Sequence, residues 1–308
     1  MSHIRATPFH ARTAALNRAN AWTQRNGATM AAQYADAQDE ALAFRSRVVL
    51  ADISWRWRVM FEGARAAEFL SRLLTRDPAQ LAPGAAFKAL WLSDGGGVRG
   101  AGALARHGRE SFQLVAAAPD HDWVARAASR FDVSTHEVAE GGLAIAGPYA
   151  RATLIAAGLD SDLELLAFRK LFWRGLDVTL SRFGELGGYE IWCKADDCLV
   201  LWDRLMRAGA TFGIQPAGVS AMDILDVEAG IARPGRDWRA ARDGHSVSPT
   251  PASLSLESLI DESHSLFNGR AAWSDARAKE TRKLAGIVID SETPAPHAQL
   301  FVGGQVVG

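Results

Sequence analysis

Residues 90–108, "LWLSDGGGVRGAGALARHG", set six glycines between two runs of largely apolar residues. Such a stretch reads as a loop that wraps a phosphate, as a hairpin turn, or as a turn that carries a catalytic acid. A phosphate loop needs Lys followed by Ser or Thr after its last glycine, and a dinucleotide loop needs a helix there. Here "GAGALAR" continues as a strand-like run, which favours a hairpin in which glycine supplies positive φ. Glycine also lets a ligand approach the backbone, a second use that the local pattern alone does not establish.

Outward from this turn the chain alternates strand and helix signals. "WRWRVMFEG" reads as a strand, "ARAAEFLSRLL" carries Ala67, Leu70, Leu73 and Leu74 at helical spacing, and "AFKALWLS", "GALARHG" and "ESFQLVAAA" return to strand. "PDHDWVARAASRF" predicts a helix with Asp120 as N-cap, followed by strands in "VSTHEV" and "GGLAIAG". The order then repeats: a helix in "PYARATLIAAG", strands in "LDVTLSRFG" and "GGYEIWCK", and a helix in "DDCLVLWDRLMRAG" capped by Asp196 and stopped by Gly209. "AMDILDVEAG" predicts a further helix, the first fifty residues read as helical or irregular, and "ARDGHSVSPTPASLSLES" reads as a linker. The tail "RKLAGIVIDSETPAPHAQLFVGGQVVG" predicts two strands and a Gly-Gly turn, too little to bury both faces of a sheet by itself.

The 308 residues are 48% hydrophobic and 22% charged with a net charge of −1, so no charge bias points to nucleic acid or to an anionic membrane. The start of the chain lacks the apolar core of a signal peptide, and no run approaches a membrane span. Cys193 and Cys198 form neither a disulfide framework nor a zinc ligand set, the eight histidines lack metal-ligand spacing, and no G-x-S-x-G elbow occurs. The expectation is a cytoplasmic protein without metal.

Read in order, several segments resemble the glycine cleavage T-protein family of folate-dependent aminomethyltransferases and demethylases. They are "TPFH", "VVLADIS", "FLSRLLTRDPAQLAPGAAFKALWLSDGGGV", "GELGGYEIWCKADDCLVLWDRLMRAG", "DVEAGIARPGRDW", "FNGRAAW" and "RKLAGIVI", spanning residues 7–308. The resemblance implies an α+β, three-lobed, cloverleaf-like fold with tetrahydrofolate in a central channel and a C-terminal β-barrel lobe left incomplete. Its expected division is 1–50 plus 140–238 for the first lobe, 51–139 for the second and 239–308 for the partial barrel. The implied activity is that of a transferase moving a one-carbon unit from a small N-, S- or O-methylated compound to N5 of tetrahydrofolate.

By the same resemblance Glu190, with Tyr189 beside it, stands where the family's acidic strand residue holds the pterin's donor edge. Glu185 flanks the same glycines. Two departures stand out. The acidic pair that follows the family's glycine turn reads Gly100 and Ala101, and the arginine that would bind an acidic tail reads Met222. The additional glycine of "GELGGYE" resembles the dimethylsulfoniopropionate demethylase branch. Substitutes for the missing acid are sought at Asp94, Glu62 and Asp52. Trp55, Trp57 and Trp91 are candidates for an aromatic wall, set against ordinary core packing. The alternative function is a non-catalytic folate-binding subunit working with a protein partner or as a homo-oligomer. The family's iron–sulfur assembly members are a weaker match because their cysteine motif is missing.

Overall fold

A computed structural model describes residues 5–183, 187–241, 249–290 and 298–306. The chain begins with β1 (Arg5–Ala6) and α1 (His10–Leu16), then the hairpin β2 (Ala21–Arg25) and β3 (Ala28–Gln33), and α2 (Ala37–Ser46). This corrects the helical or irregular reading of the first fifty residues. The hairpin turns on Asn26 and Gly27, both at positive φ (47° and 73°), the pair that suits a turn between right-twisted strands. α2 is capped by Asp36, whose side chain accepts from the backbone N–H groups of Gln38 and Asp39.

Next come β4 (Val49–Asp52), β5 (Trp57–Glu62), α3 (Ala66–Leu73), β6 (Ala86–Leu92), β7 (Val98–Arg106), β8 (Ser111–Ala116), α4 (His121–Ala128) and β9 (Ser134–Glu137). Strands β6-β7-β8-β5-β9 form a five-stranded sheet, and the glycine stretch is the β6–β7 hairpin. Its core packs α3 and α4 through Phe69, Leu70, Val124 and Ala128 against Phe61, Trp91 and Leu114. Asp120 sits at the N-cap position of α4 but makes no capping bond. Its carboxylate is instead taken by Arg99 and the Trp91 indole, stronger partners than a single backbone N–H.

The chain continues with β10 (Glu140–Ala146), α5 (Ala150–Ala157), β11 (Phe168–Trp173), β12 (Leu176–Ser181), β13 (Tyr189–Lys194), α6 (Cys198–Ala208), β14 (Gln215–Pro216) and α7 (Val219–Glu228). The strands form a six-stranded sheet in the order β11-β12-β13-β10-β4-β14, backed by α5 and α6 on Leu143, Ile145, Ile191 and Cys193. α6 begins after a short 3-10 turn and has no side-chain cap, so Asp196 does not cap it. β11, not expected from sequence, pairs along its whole length with β12.

Beyond residue 249 an unexpected helix, α8 (Arg270–Arg277), packs Trp273 against Leu92 and Val98 of the glycine hairpin. Gly96, at φ +78°, is required there: a Cβ would stand 2.5 Å from the Trp273 backbone nitrogen. The tail supplies only β15 (Phe301–Val302) and β16 (Gln305–Val306) around two glycines, while residues 281–289, with the apolar "GIVI", take no regular structure. Among the described residues no sheet closes into a barrel, and no helix is long and apolar enough to cross a membrane.

Candidate functional site

A cavity of about 1190 Å³ lies where the five-stranded sheet, the N-terminal hairpin, the β4–β5 connection, α7 and the segments 230–240 and 254–259 converge, with Phe183 just beyond the end of β12. Its walls differ in chemistry. On the five-stranded sheet they are small and apolar, with Ala101, Gly102, Ala103, Val115 and Ala116. On the α7 side they are charged.

Asp223 of α7 accepts from Arg25 of β2 with both carboxylate oxygens at 2.8 Å. Arg236 also reaches Asp223 at 2.8 Å and Arg233 at 3.8 Å. Arg233 is in turn tied to Asp237 at 2.7 Å. Burial pulls the Arg25 guanidinium below its usual range, with the positive charges of Arg236 and Arg233 acting in the same direction against the attraction of Asp223. Arg25 thereby fixes the N-terminal hairpin to α7 at the cavity rim.

Glu190 enters from β13, where it pairs in register with Ala144 of β10 and Ser181 of β12. It is 1% exposed. One oxygen accepts from the Arg56 guanidinium, and Oε2, fully buried, has no hydrogen-bond partner among the described residues. A buried carboxylate oxygen without a donor costs on the order of 1–3 kcal/mol, so it marks a place where a donor is wanted. Arg56 itself follows a tight turn, its backbone N–H donating to the Ile53 carbonyl at 3.0 Å, and its side chain lines the cavity. Glu190 thus stands behind Arg56, not directly on the cavity wall.

The other expected residues separate into distinct places. Trp55 lines the cavity beside Arg56. Tyr189 packs in the core under the six-stranded sheet, its hydroxyl donating to the Ser161 carbonyl. Trp91 is fully buried in the core of the other sheet, close to Trp57, so neither forms a cage over the cavity.

Gly100 and Ala101, adjacent in sequence, point to opposite faces of β7. A Cβ at Gly100 would run into the Trp91 ring, whereas Ala101 faces the cavity. Asp94 lines a smaller hollow with Trp123 and Arg126, away from the large cavity. Glu62 is solvent-exposed near His136, at 3.9 Å. Asp52 is buried, accepting from Thr7 Oγ1 and from the backbone and hydroxyl of Ser54, and burial raises its pKa against those hydrogen bonds. None of the three carboxylates lines the large cavity. Met222 does. Glu185 lies outside the described residues.

Arg56, Arg25 and Lys88 were not singled out from sequence, although all three line the cavity. Arg56 did carry a signal: in "SWRWRV" an arginine stands between two tryptophans at the end of a turn. Its partner Glu190 lies 134 residues away and comes into reach only through the β4–β10–β13 pairing.

A family profile described as the GCVT N-terminal domain matches residues 9–252. An aminomethyltransferase of Geobacillus thermodenitrificans is 30% identical over 298 residues, 92% of this chain and 79% of the relative. One from Geobacillus kaustophilus is 31% identical over 300 residues, with the same shares covered. Among solved structures, the glycine cleavage system aminomethyltransferase T of Bartonella henselae superposes with a TM-score of 0.79 at 25% identity, over 90% of this chain and 75% of the other.

Proposed function

As the chain belongs to the glycine cleavage T-protein family of aminomethyltransferases, we propose that it is a tetrahydrofolate-dependent transferase that takes a one-carbon unit from a small methylated donor. The cofactor fits the residues present. The cavity exceeds the roughly 300–1,000 Å³ of common small-molecule sites, and the buried Glu190 Oε2 lacks a donor of the kind a pterin edge offers. When bound, tetrahydrofolate supplies N5 as the atom that accepts the one-carbon unit.

The protein's own contribution is recognition and orientation. Glu190 holds the N–H edge of the pterin, once Arg56 shares or yields the oxygen it now occupies. Each charge-assisted bond is worth on the order of 1.5–3 kcal/mol. Trp55 adds an aromatic edge to the same rim. Ala101 offers no proton donor or acceptor to the reacting centre, so the donor must carry a good leaving group, for which orientation suffices. A sulfonium donor meets that condition, in keeping with the additional glycine at 187–188 that resembles the dimethylsulfoniopropionate demethylase branch. We assign the lobes as 1–50 with 140–238, 51–139, and 239–308, and place the protein in the cytoplasm.

The unpartnered oxygen of Glu190 carries this reading. Its test is titration of the protein with tetrahydrofolate followed by tryptophan fluorescence, with Glu190→Gln as control and a melting curve to verify folding. Saturable quenching that weakens at least ten-fold in the variant is expected. Equal affinity in parent and variant would remove Glu190 from the site. A second reading is favoured by the apolar residues at both acid positions: a folate-binding subunit without activity of its own, dependent on a protein partner or on self-association. Donor turnover by the isolated chain argues against it.

A further inference from the structure

The cavity's charges do not balance on its apolar side. Of its cations, Arg25 and Arg233 are held by Asp223 and Asp237, Arg56 is held by Glu190, and Arg239 is solvent-exposed on the segment 230–240. The cavity's carboxylates among the described residues, Asp223 and Asp226, both lie on α7. Lys88 lies on the other wall, half-buried in the middle of β6, with neither a hydrogen bond nor an ion pair among the described residues.

Among the described residues, the side chains around it offer no counter-charge. Lys88 pairs in register with Ala103, and Leu90 pairs with Ala101, which sets Ala103 and Ala101 beside Lys88 on one face of the sheet. Val115, Ala116 and Phe183 complete that part of the wall. While water fills the cavity, the ammonium is hydrated at little cost. A ligand that expels this water leaves the charge against methyl groups, and the ammonium must then find an anion on the ligand itself.

We propose that Lys88 is a carboxylate anchor of the cavity, pairing with an acidic group of the bound ligand. The inference rests on the folate reading for the cavity's occupant, and two sources of the carboxylate follow from it. One is the glutamate tail of the folate, for which the family's arginine is replaced by Met222. The other is the methylated donor, favoured by the position of Lys88 diagonally across the β6–β7 ladder from Ala101, the one of the two acid-matching positions whose side chain faces the cavity. In the second case the donors are methylated acids, discriminated from the corresponding methylated amines.

Calorimetric titration of the parent, Lys88→Met and Lys88→Arg separates these sources with matched ligand pairs. Tetrahydrofolate and 6-methyltetrahydropterin share the reduced pterin and N5, and only the first carries carboxylates. N,N-dimethylglycine and N,N-dimethylethanolamine, each added in the presence of 6-methyltetrahydropterin, differ in the donor's carboxylate. Lys88→Met is expected to weaken the acid of one pair at least ten-fold while its carboxylate-free twin is unchanged, and Lys88→Arg to stay within about three-fold of the parent. The pair that responds identifies the source. Equal losses for both members of each pair, no loss in any, or a parent that binds no acid in either pair overturns the proposal. A parent that binds dimethylglycine through Lys88 but neither pteridine would leave the anchor standing and remove the folate reading instead.

Discussion

The five-stranded sheet, which lines the cavity, and the six-stranded sheet, which reaches it only through Arg56, differ in the polar groups they keep. The six-stranded sheet keeps a carboxylate, Glu190, in a dry position and holds it with Arg56. The five-stranded sheet has apolar residues at both positions where the family resemblance implies acids: Trp91 fills the space over Gly100, and Ala101 presents a methyl group to the cavity. A buried carboxylate that reads a hydrogen-bonding edge is hard to replace, because its partner is left unsatisfied. An acid that only assists a leaving group is dispensable when the leaving group is good. On the proposed folate reading, recognition of the acceptor and chemistry at the donor become separable demands on the two sheets.

The largest effect that could break this contrast is at Gly100. Gly100→Asp would force a carboxylate into the Trp91 ring, in a core where Trp91 is 0% exposed. Overpacking and an unpaired buried charge together are expected to lower stability by at least about 3 kcal/mol, read by chemical denaturation. A variant within about 1 kcal/mol of the parent would mean that this wall is not committed to its tryptophan.

The sheets also differ in their response to acid. His107, at the end of β7, is pushed down to about 4, chiefly by burial and further by Lys170 and Arg58. The unfolded chain therefore takes up the proton first, near pH 6.5. The stability associated with His107 is fully present above that value and is lost as pH falls from 6.5 through about 4. Asp52, at the end of β4, has the opposite sign: burial raises its pKa, so its contribution is full below the ordinary carboxylate value and is lost as pH rises through the folded one. His107→Gln is expected to flatten the acid limb of stability by up to about 3 kcal/mol in equilibrium unfolding from pH 7 to 4. An unchanged limb would assign the acid sensitivity elsewhere.

Arg56 gives a smaller effect with two readouts. Without it Glu190 is buried with neither oxygen paired, so Arg56→Met should melt lower than the parent when empty. The same variant should bind tetrahydrofolate about ten-fold more tightly, because the ligand no longer competes with an internal guanidinium, and ligand should restore the lost melting temperature. Weaker binding in Arg56→Met would make Arg56 a direct ligand contact instead of an occupant of the site.

What the sequence made legible follows the range over which each signal acts. The β6–β7 hairpin was readable because its glycines are local punctuation, and the helices over Ala66–Leu73 and Cys198–Ala208 because their apolar spacing is. The Asn26–Gly27 turn carried an equally local signal, yet the small residues of "ATMAAQ" hid the strand beside it. α8 was missed because its reason is remote: it rests on the gap left by Gly96. The site behaved in the same way. Family spacing marks Glu190, Gly100 and Ala101 as positions, but only the fold shows that Arg56 covers the first, that Trp91 fills the second, and that the third alone faces the cavity.

The smallest effect on stability is the sharpest test of the contrast. Ala101→Asp returns an acid to the five-stranded wall at a half-buried position open to the cavity, so stability should change by no more than about 0.5 kcal/mol. The new carboxylate would stand diagonally across the β6–β7 ladder from Lys88, a separation that a lysine side chain spans. It would satisfy the ammonium internally, as Arg56 is satisfied by Glu190 on the opposite side. Carboxylate ligands that depend on Lys88 should then bind several-fold more weakly, read by the same calorimetry, while their carboxylate-free twins are unaffected. Such an outcome would make the two walls equivalent in charge by one substitution. It would also locate the difference between them in the pairing state of one cation on each side. Unchanged binding of every ligand would mean that Ala101 and Lys88 do not share a site, and the contrast between the walls would then rest on Trp91 alone.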